Sequence, residues 1–409
     1  MATPAFPIAR NTWLYYAFAF FMQSGLWFGI WIKYLLDTRG FELRWIFLMD
    51  LPFWLAMAAL QAPLGALADH IGRRKVLVMG AAAYAITILG FGFTTTYWML
   101  FADYMLWAVA LAATSGADEA LMFDSLKAAG REERFQHIIG RNFAVTLTGG
   151  FIGVAAGGFV AQWTSLAFTV QVSALFPVAA IVVALLMVEP PRERSRQPYL
   201  RGLRDGLSFA WNTPQVRYTV LFGSVVMTGT FGPVILMQPF LMDHDIATEW
   251  FGLFQAPIRL TAVIAAFLTG AVAMRVGRST LFLAGPVAIA GAYALLGLID
   301  RPWAFALFAA PALVQALVNP AISAHLNERI PSDRRATVLS VLQLAFSLQV
   351  AFFEPGLGFI ADGVSMVAAL FFAAAYLAIL VPPLLLLWRR AHPGGVAVKP
   401  VSAMEPAAP

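Results

Sequence analysis

Long apolar segments follow one another through this chain and restrict what it can fold into more than any other feature. Hydrophobic residues make up 60% of the sequence and charged residues only 12%, whereas soluble domains have about 45–50% apolar and about 25% charged residues. Each segment is close to the roughly 20 residues that an α-helix needs to cross a bilayer. We therefore predict an all-α polytopic membrane protein with about 12 transmembrane helices. The predicted spans are residues 12–36, 46–68, 76–95, 97–125, 140–162, 165–188, 216–242, 250–274, 280–299, 302–325, 336–361 and 364–388.

Lysine and arginine are distributed unevenly between the two sides of these spans. If the N-terminus is cytoplasmic, 22 of the 27 basic residues fall on the cytoplasmic side, as is usual in multi-pass membrane proteins. We expect cytoplasmic N- and C-termini and an inner-membrane location. We expect no nucleic-acid partner, because topology already accounts for the net charge of +5.

The sequence gives no indication of a cofactor or a metal. It contains no cysteine and only five histidines, which are widely spaced. It also lacks an HExxH motif, a nucleotide-binding loop and a serine-centred elbow. We therefore expect no cofactor, no metal and no catalytic residues, and we expect a monomer.

The longest polar interruption divides the chain into two related halves. The predicted units are a first six-helix bundle at 1–188, a cytoplasmic linker at 189–215, a second six-helix bundle at 216–388 and a disordered cytoplasmic tail at 389–409. Residues 270–278 repeat the pattern of residues 65–73. The repeat indicates two duplicated halves.

A short charged turn stands between the second and third spans. Gly65 is followed four residues later by Asp69, and then by Gly72, Arg73 and Arg74. Gly72 supplies the turn, and Gly65 has no side chain, so we expect another helix to approach it closely. The pattern resembles the signature loop of the major facilitator superfamily of secondary transporters. The resemblance implies two pseudo-symmetric six-helix bundles around a central cavity.

Asp124 lies at the cytoplasmic rim of the fourth span. In the family that the loop resembles, an acid here pairs with the first arginine of the loop, and the loop aspartate meets the start of the eleventh helix, here near Arg335. A permanent structural salt bridge is the alternative. The second repeat has Met274 at the position of the acid, so we place any charge switch in the first half. The implied gating latch consists of Gly65, Asp69, Gly72, Arg73, Arg74 and Asp124.

Asp118 and Glu119 lie inside the fourth span, where an uncompensated carboxylate costs roughly 2.5–3.5 kcal/mol. They point about 100° apart on a helix, so we expect at most one to face the cavity squarely. Either is a candidate for proton coupling, and pairing with Arg141 or Asn142 is the alternative. The related drug-exporting families carry an arginine where this chain has Ala112, so the chain departs from their proton-relay pattern.

The fifth span is rich in glycine. Gly149, Gly153 and Gly157 recur every four residues, and Gly158 follows. Because small residues let helices approach closely, we predict that this face packs between the two halves. The run also resembles the glycine-rich signature of proton/drug antiporters in the superfamily, with Val154 where those proteins have proline.

Two charged residues interrupt the spans of the second half. Arg259 lies in the eighth span and Glu354, followed by Pro355, in the eleventh. Their depths, roughly 14 Å and roughly 10 Å at 1.5 Å per residue, make an ion pair plausible. The pair is either a substrate- or proton-responsive site or a simple mutual neutralisation, and Glu354 is the third proton-coupling candidate. Polar and aromatic residues that we expect to line the cavity are Gln23, Trp27, Trp31, Gln238, Gln255, Arg259, Gln315 and Asn319.

These features favour a secondary transporter that works by alternating access. Its expected partners are a small, amphipathic organic substrate, protons and the lipid bilayer, and its expected activity is proton-coupled efflux. Proton symport or facilitated uptake of a metabolite is the alternative within the class, favoured by Val154. A non-transporting membrane sensor or a membrane enzyme on the same scaffold is the alternative from another class.

Overall fold

The computed structural model describes residues 6–191, 199–330 and 335–392, and all regular secondary structure in these residues is helical. Ten helices in the described part are long and apolar enough to cross a membrane. The prediction of an all-α membrane protein is therefore confirmed. The predicted C-terminal tail lies almost wholly outside the described residues, although the last helix continues to Ala391.

We number the membrane segments of the described residues as spans 1 to 12. In the first half, span 1 comprises Ile8–Gln23 and the short turns Leu26–Gly29, Trp31–Lys33 and Tyr34–Thr38; span 2 comprises Leu43–Leu48 and Asp50–Ile71; span 3 is Arg73–Phe91; span 4 comprises Tyr97–Thr114 and Ala117–Ala128; span 5 is Phe135–Trp163; and span 6 comprises Leu166–Ser173 and Leu175–Leu186. In the second half, span 7 comprises Pro214–Phe231, Gly232–Leu236 and Met237–Asp243; span 8 is Thr248–Val276; span 9 is Arg278–Leu298; span 10 comprises Pro302–Phe308 and Ala309–Asn327; span 11 is Arg335–Gly363; and span 12 is Met366–Ala391.

Spans 1, 4 and 7 are interrupted within the membrane segment. Span 1 leaves the α-helix after Gln23, and span 4 breaks at Ser115 and Gly116, where Gly116 has φ +76°. Span 7 passes through a 3₁₀ turn that begins at Gly232. Such breaks leave main-chain groups free to bond elsewhere, and they are tolerated in membranes where protein or a cavity surrounds them.

The spans of each half pack against one another, and the most extensive contacts between the halves come from two pairs of spans. Span 3 packs on span 4 and span 1 on span 5 in the first bundle, while span 9 packs on span 12 and span 8 on span 10 in the second. Span 5 lies against span 8, and span 2 lies against span 11. A helix at Tyr199–Asn212, inside the predicted linker, packs on span 11.

Because the spans alternate in direction, the turns at Gly72 and Gly277 lie on one side of the molecule. We call this the basic side, since arginines follow both turns, and we call the other the opposite side. Gly72 has φ +110° and Gly277 has φ +80°. Residues with a side chain rarely adopt this conformation, so both copies of the repeat depend on glycine for the turn into the next helix.

Candidate substrate pathway and charge pairs

The signature turn is held by an acid from the end of the first bundle. The carboxylate of Glu189 accepts hydrogen bonds from the main-chain nitrogens of Arg73 and Arg74, both at 2.8 Å. It thus caps the N-terminus of span 3, where main-chain donors lack partners within the helix and a negative charge is favourable. The sequence prediction assigned Glu189 to the linker and missed this role.

Arg73 forms an ion pair with Asp124 at 2.5 Å, and its guanidinium also donates to the carbonyl of Ala120. Both partners lie on span 4, so the pair joins elements of a single bundle. Arg73 and Asp124 thus pair as the resemblance implies. The pair by itself does not hold the two halves together, and the gating role of the latch stays a prediction.

The remaining members of the predicted latch do not bridge the halves either. Asp69 forms no ion pair with any described residue, and Arg335 donates to the carbonyl of Ile330 at 3.3 Å. Gly65 is exposed, and a Cβ built there would meet nothing within 4 Å. The close helix approach predicted at Gly65 is therefore wrong for this conformation.

The second half contains the counterpart of the Arg73–Asp124 pair. Arg278, which follows the turn at Gly277, donates to both carboxylate oxygens of Glu328 at 2.6 Å. This bidentate bond lowers the pKa of the Glu328 carboxyl. The prediction that any charge device lies in the first half alone is wrong, because the loss of the acid at Met274 leaves this pair intact. The repeat could have revealed Glu328, which stands 204 residues after Asp124.

A cavity of about 470 Å³ is lined by spans 1 to 5. Four aromatic residues, Phe18, Phe28, Tyr84 and Trp107, contribute to its walls. Gln23, Asp118, Glu119 and Asn142 add polar groups.

Both acids of span 4 line this cavity, which corrects the prediction that at most one would face it. The break at Gly116 starts a new helix at Ala117, so Asp118 and Glu119 lie in its first turn. Neither forms an ion pair with a described residue, so the predicted alternative of pairing with Arg141 is wrong. Asn142 also lines the cavity, and its Oδ1 is buried without a hydrogen-bond partner among the described residues.

Several residues predicted to line the cavity lie elsewhere. Trp27 packs within an aromatic cluster, with its ring centroid 5.5 Å from that of Phe91 and 6.3 Å from that of Trp31. Gln315 and Asn319 of span 10 are absent from its walls. Trp27, Trp31, Gln315 and Asn319 therefore do not line this cavity, and their place in a cavity between the halves stays a prediction.

Gln238 and Gln255 bind the broken end of span 1 instead of lining the cavity. Gln238 accepts from the main-chain nitrogen of Ile32 at 3.0 Å and donates to the carbonyl of Phe28 at 3.0 Å. Gln255 donates to the carbonyl of Gly29 at 2.9 Å. We call these bonds the opposite-side seal. The break frees main-chain groups that a continuous helix would bond internally, and the second bundle satisfies them.

The glycines of span 5 form two faces with different neighbours. A Cβ at Gly153 would lie 2.8 Å from main-chain atoms of span 1, and one at Gly157 would lie 2.0 Å from the Leu26 carbonyl; Gly149 likewise packs on span 1. This face therefore packs within the first bundle, and the prediction that it packs between the halves is wrong. Gly158 does contact the second bundle, since its Cβ would lie 2.4 Å from the Thr248 carbonyl.

The predicted ion pair between Arg259 and Glu354 is wrong. The Arg259 guanidinium lies over the ring of Phe28, 5.7 Å from its centroid, and near Gly150 of span 5. Glu354 faces span 2 and accepts a hydrogen bond from Trp54 Nε1 at 3.0 Å. The similar depths counted along the sequence did not predict a contact, because the two residues lie on helices that face different neighbours.

Trp54 also joins the bundles through aromatic contacts. Its ring packs edge-on against Phe231 of span 7 and Phe346 of span 11, with centroids 5.5 Å and 5.6 Å away. Together with the opposite-side seal, this cluster closes the opposite side of the interface. On the basic side, Gly65, Gly116 and Glu119 are exposed, so the cavity faces that side.

Comparison with known proteins gives consistent matches. The sequence profile described as Major Facilitator Superfamily matches residues 12–270. The class C tetracycline resistance protein of Escherichia coli is 26% identical over 309 residues, which cover 73% of this chain and 75% of that protein. The methyl viologen resistance protein SmvA of Salmonella typhimurium is 30% identical over 166 residues, which cover 40% of this chain but only 31% of that protein.

Solved structures share the architecture at low sequence identity. The structure of a variant of the nucleoside transporter NupG matches with a TM-score of 0.81 at 14% identity, covering 92% of this chain and 100% of that one. A bacterial homologue of the human lysosomal transporter Spinster, in an inward-facing conformation, matches with a TM-score of 0.73 at 15% identity, covering 94% and 97%. These matches show the fold with two six-helix bundles.

Proposed function

We propose, since this chain belongs to the Major Facilitator Superfamily, that it exports a small amphipathic organic molecule across the inner membrane in exchange for protons. The membership makes it a transporter. The substrate class, the direction and the coupling to protons are our proposal. The observation that carries it is the cavity, which is lined by four aromatic residues and by the two acids Asp118 and Glu119.

The chemistry of the cavity supports an aromatic or amphipathic substrate with a cationic group. Rings such as Phe18 and Trp107 offer apolar area and π-faces that attract cations. Asp118 and Glu119 form no ion pair with a described residue, so a substrate cation can bind them without displacing a protein partner. The guanidinium of Arg259 lies over the ring of Phe28, which lines the cavity, and adds a positive charge beside it.

Competition between substrate and protons gives a route to exchange. An acid that binds a cation when ionised releases it when it gains a proton, because the same oxygen serves both ligands. Asp118 and Glu119 lie in the open cavity, where water delivers protons. Alternating access then converts this competition into exchange of the substrate for protons.

The conformation fits a state that faces the cytoplasm. The basic side carries the arginines that indicate a cytoplasmic location, and the cavity faces that side. The opposite side is closed by Gln238, Gln255 and the Trp54 cluster. An exporter must load its substrate in such a state.

The names of the two relatives suggest the first compounds to test. Methyl viologen is a flat aromatic dication and tetracycline a polycyclic amphipathic molecule, and both match the character of the cavity. We would reconstitute the purified protein in proteoliposomes with a pH-sensitive dye inside and impose a pH gradient. Adding either compound should move protons at a rate above that of empty liposomes.

Variants then test whether Asp118 and Glu119 couple the movement of the compound to that of protons. Asp118→Asn with Glu119→Gln should abolish compound-dependent proton movement, whereas the matched change Glu133→Gln, at an exposed loop position, should leave it unchanged. Compound flux that persists in the wild type without proton movement would contradict the proposed coupling. Silence towards a broad panel of drugs and metabolites would favour a sensor.

Uptake of a metabolite is the second candidate. Val154 occupies the position of the antiporter proline, and it packs at the junction of spans 1, 5 and 8, where its carbonyl lies 3.1 Å from a Cβ built at Gly29 and 2.1 Å from one at Gly252. The direction of flux against an imposed gradient separates the two functions. Accumulation inside right-side-out vesicles with protons would favour symport.

A further inference from the structure

Asp50 of span 2 and Glu354 of span 11 bring two carboxyl groups together across the interface of the bundles. Asp50 is only 7% exposed and Glu354 only 2%. Asp50 Oδ2 and Glu354 Oε1 are both buried without a hydrogen-bond partner in the described part of the chain. Asp50 lies one helical turn before Trp54, whose indole donates to Glu354 at 3.0 Å, so the two acids occupy the same contact between spans 2 and 11.

A third polar group points to a ligand at this position. The hydroxyl of Tyr104, from span 4, is buried and has no hydrogen-bond partner among the described residues, and its ring packs edge-on against Phe53, three residues after Asp50, with the centroids 6.0 Å apart. Tyr104 itself is 1% exposed. Three buried and unsatisfied polar groups in one region of the helix interface are costly unless something shared satisfies them.

No nearby cation of the described chain neutralises the pair. Arg44, six residues before Asp50, forms its ion pair with Glu42 at the rim. Arg259 lies over Phe28. The titratable groups that face the pair are therefore the two carboxyls themselves and Tyr104. Two ionised carboxylates cannot remain adjacent in a dry interface without a compensating charge.

The pair is enclosed from both directions in this conformation. Towards the basic side, Trp54 donates to Glu354 and packs on Phe346. Towards the opposite side, the main-chain nitrogen of Arg44 donates to Asp362 Oδ2 at 2.7 Å and bridges the bundles at the rim. At 1.5 Å per residue, the carboxyls lie about 9–12 Å below that rim. Separation of spans 2 and 11 on the opposite side would expose them to water.

We propose that Asp50 and Glu354 form a shared proton-binding site, and that spans 2 and 11 close on the opposite side only when this pair holds at least one proton. A proton from water on the opposite side forms an O–H bond with one carboxylate oxygen, and the protonated carboxyl shares it with the other. When a transient separation of spans 2 and 11 admits water, the carboxyl can transfer that proton to a water molecule. Two adjacent anions then remain, and their repulsion keeps the helices apart. The role of this site in transport rests on the proposed proton coupling.

Distance measurements between spin labels test the site directly. The chain contains no cysteine, so cysteines introduced at the exposed positions Thr95 and Val364 can be labelled selectively, one in each bundle on the opposite side. The ligand tested is the proton itself: the label distance is measured on the protein in lipid nanodiscs at pH values from 5 to 9. In the otherwise unmodified protein, the longer, open distance should gain population by tenfold or more as the pH rises.

Amide variants give the decisive comparison. Asp50→Asn with Glu354→Gln should keep the short distance at every pH, whereas Asp300→Asn, an exposed acid on the same side, should behave as the wild type. Either single change should weaken the pH response, which keeps the test informative if the double variant folds poorly. The proposal would be overturned if the amide variants kept the pH response of the wild type. It would also be overturned if the population of the open distance changed with sodium concentration at constant pH.

The outcome also separates this site from the proposed function. If flux is coupled to protons while the label distance ignores both pH and the amide changes, the proposed function stands and the Asp50–Glu354 site fails. If the distance follows pH through this pair but no compound drives proton movement, the site stands and the proposed function fails.

Discussion

The contact between Gly157 and the break in span 1 predicts a large effect from a single methyl group. A Cβ at Gly157 would lie 2.0 Å from the Leu26 carbonyl oxygen, whereas ordinary contacts begin at 3.4 Å. The helices must therefore separate by about 1.4 Å, and the obstructing atom is main chain that cannot rotate away. Overpacking of this kind costs up to about 3 kcal/mol, while alanine regains about 1 kcal/mol of helix propensity. We expect Gly157→Ala to reduce the unfolding free energy by about 2 kcal/mol.

The matched control is Gly140→Ala in the same helix, where a Cβ would meet nothing within 4 Å. Without a clash, only the gain in helix propensity remains, so this variant should be neutral or more stable by up to about 1 kcal/mol. Both can be followed through tryptophan fluorescence during unfolding in detergent. Equal stability of the two variants would refute the assigned packing of span 5 on span 1.

Three further changes test other contacts. Arg73→Ala and Asp124→Ala should each destabilise the protein, and a double-mutant cycle of unfolding free energies should show a coupling of about 1 kcal/mol; additive effects would contradict the ion pair. Arg278 lowers the pKa of Glu328, so the ion pair stabilises the folded protein, by about 1 kcal/mol for a pair whose acid is half-exposed. This stabilisation is present above the ordinary glutamate pKa of about 4.3 and is lost as the pH falls through the lowered pKa. The stability difference between wild type and Glu328→Gln should thus shrink from pH 6 to pH 3, and a constant difference would count against the pair. Gln238→Leu removes the bonds to the end of span 1 and should increase the open distance between the spin labels described above, whereas an unchanged distribution would show that the seal contributes little.

The sequence was sufficient for the fold, because hydrophobic length and charge asymmetry act along the chain and need no tertiary information. The offset between the repeats also locates both turns, at Gly72 and Gly277. The same offset relates the two charge pairs. Arg278 stands at nearly the same distance from Arg73 along the sequence as Glu328 does from Asp124. Reading this repeat further along the chain would have identified Glu328.

Side-chain partners across the bundles could not be predicted in the same way. Depth along a span says nothing about the direction in which a side chain points, so the similar depths of Arg259 and Glu354 did not reveal that they contact different helices. Asp50 was missed although it lies in a predicted span at a depth similar to that of Glu354. The break at Gly116 contains no proline to signal it, and without that break the orientation of Asp118 and Glu119 is misjudged.

The opposite-side seal determines which substitutions can tune the transport cycle. On the first bundle its acceptors and donors belong to the peptide backbone between Phe28 and Ile32, and among replacements of those residues only proline, which has no main-chain N–H, deletes one. The other partner in each of these hydrogen bonds is the side-chain amide of a glutamine in the second bundle, which mutation can change. Mutations at Gln238 and Gln255 can therefore change the equilibrium between inward- and outward-facing conformations without changing the residues that contact the substrate. The rate of the transport cycle and the substrate specificity can thus evolve separately.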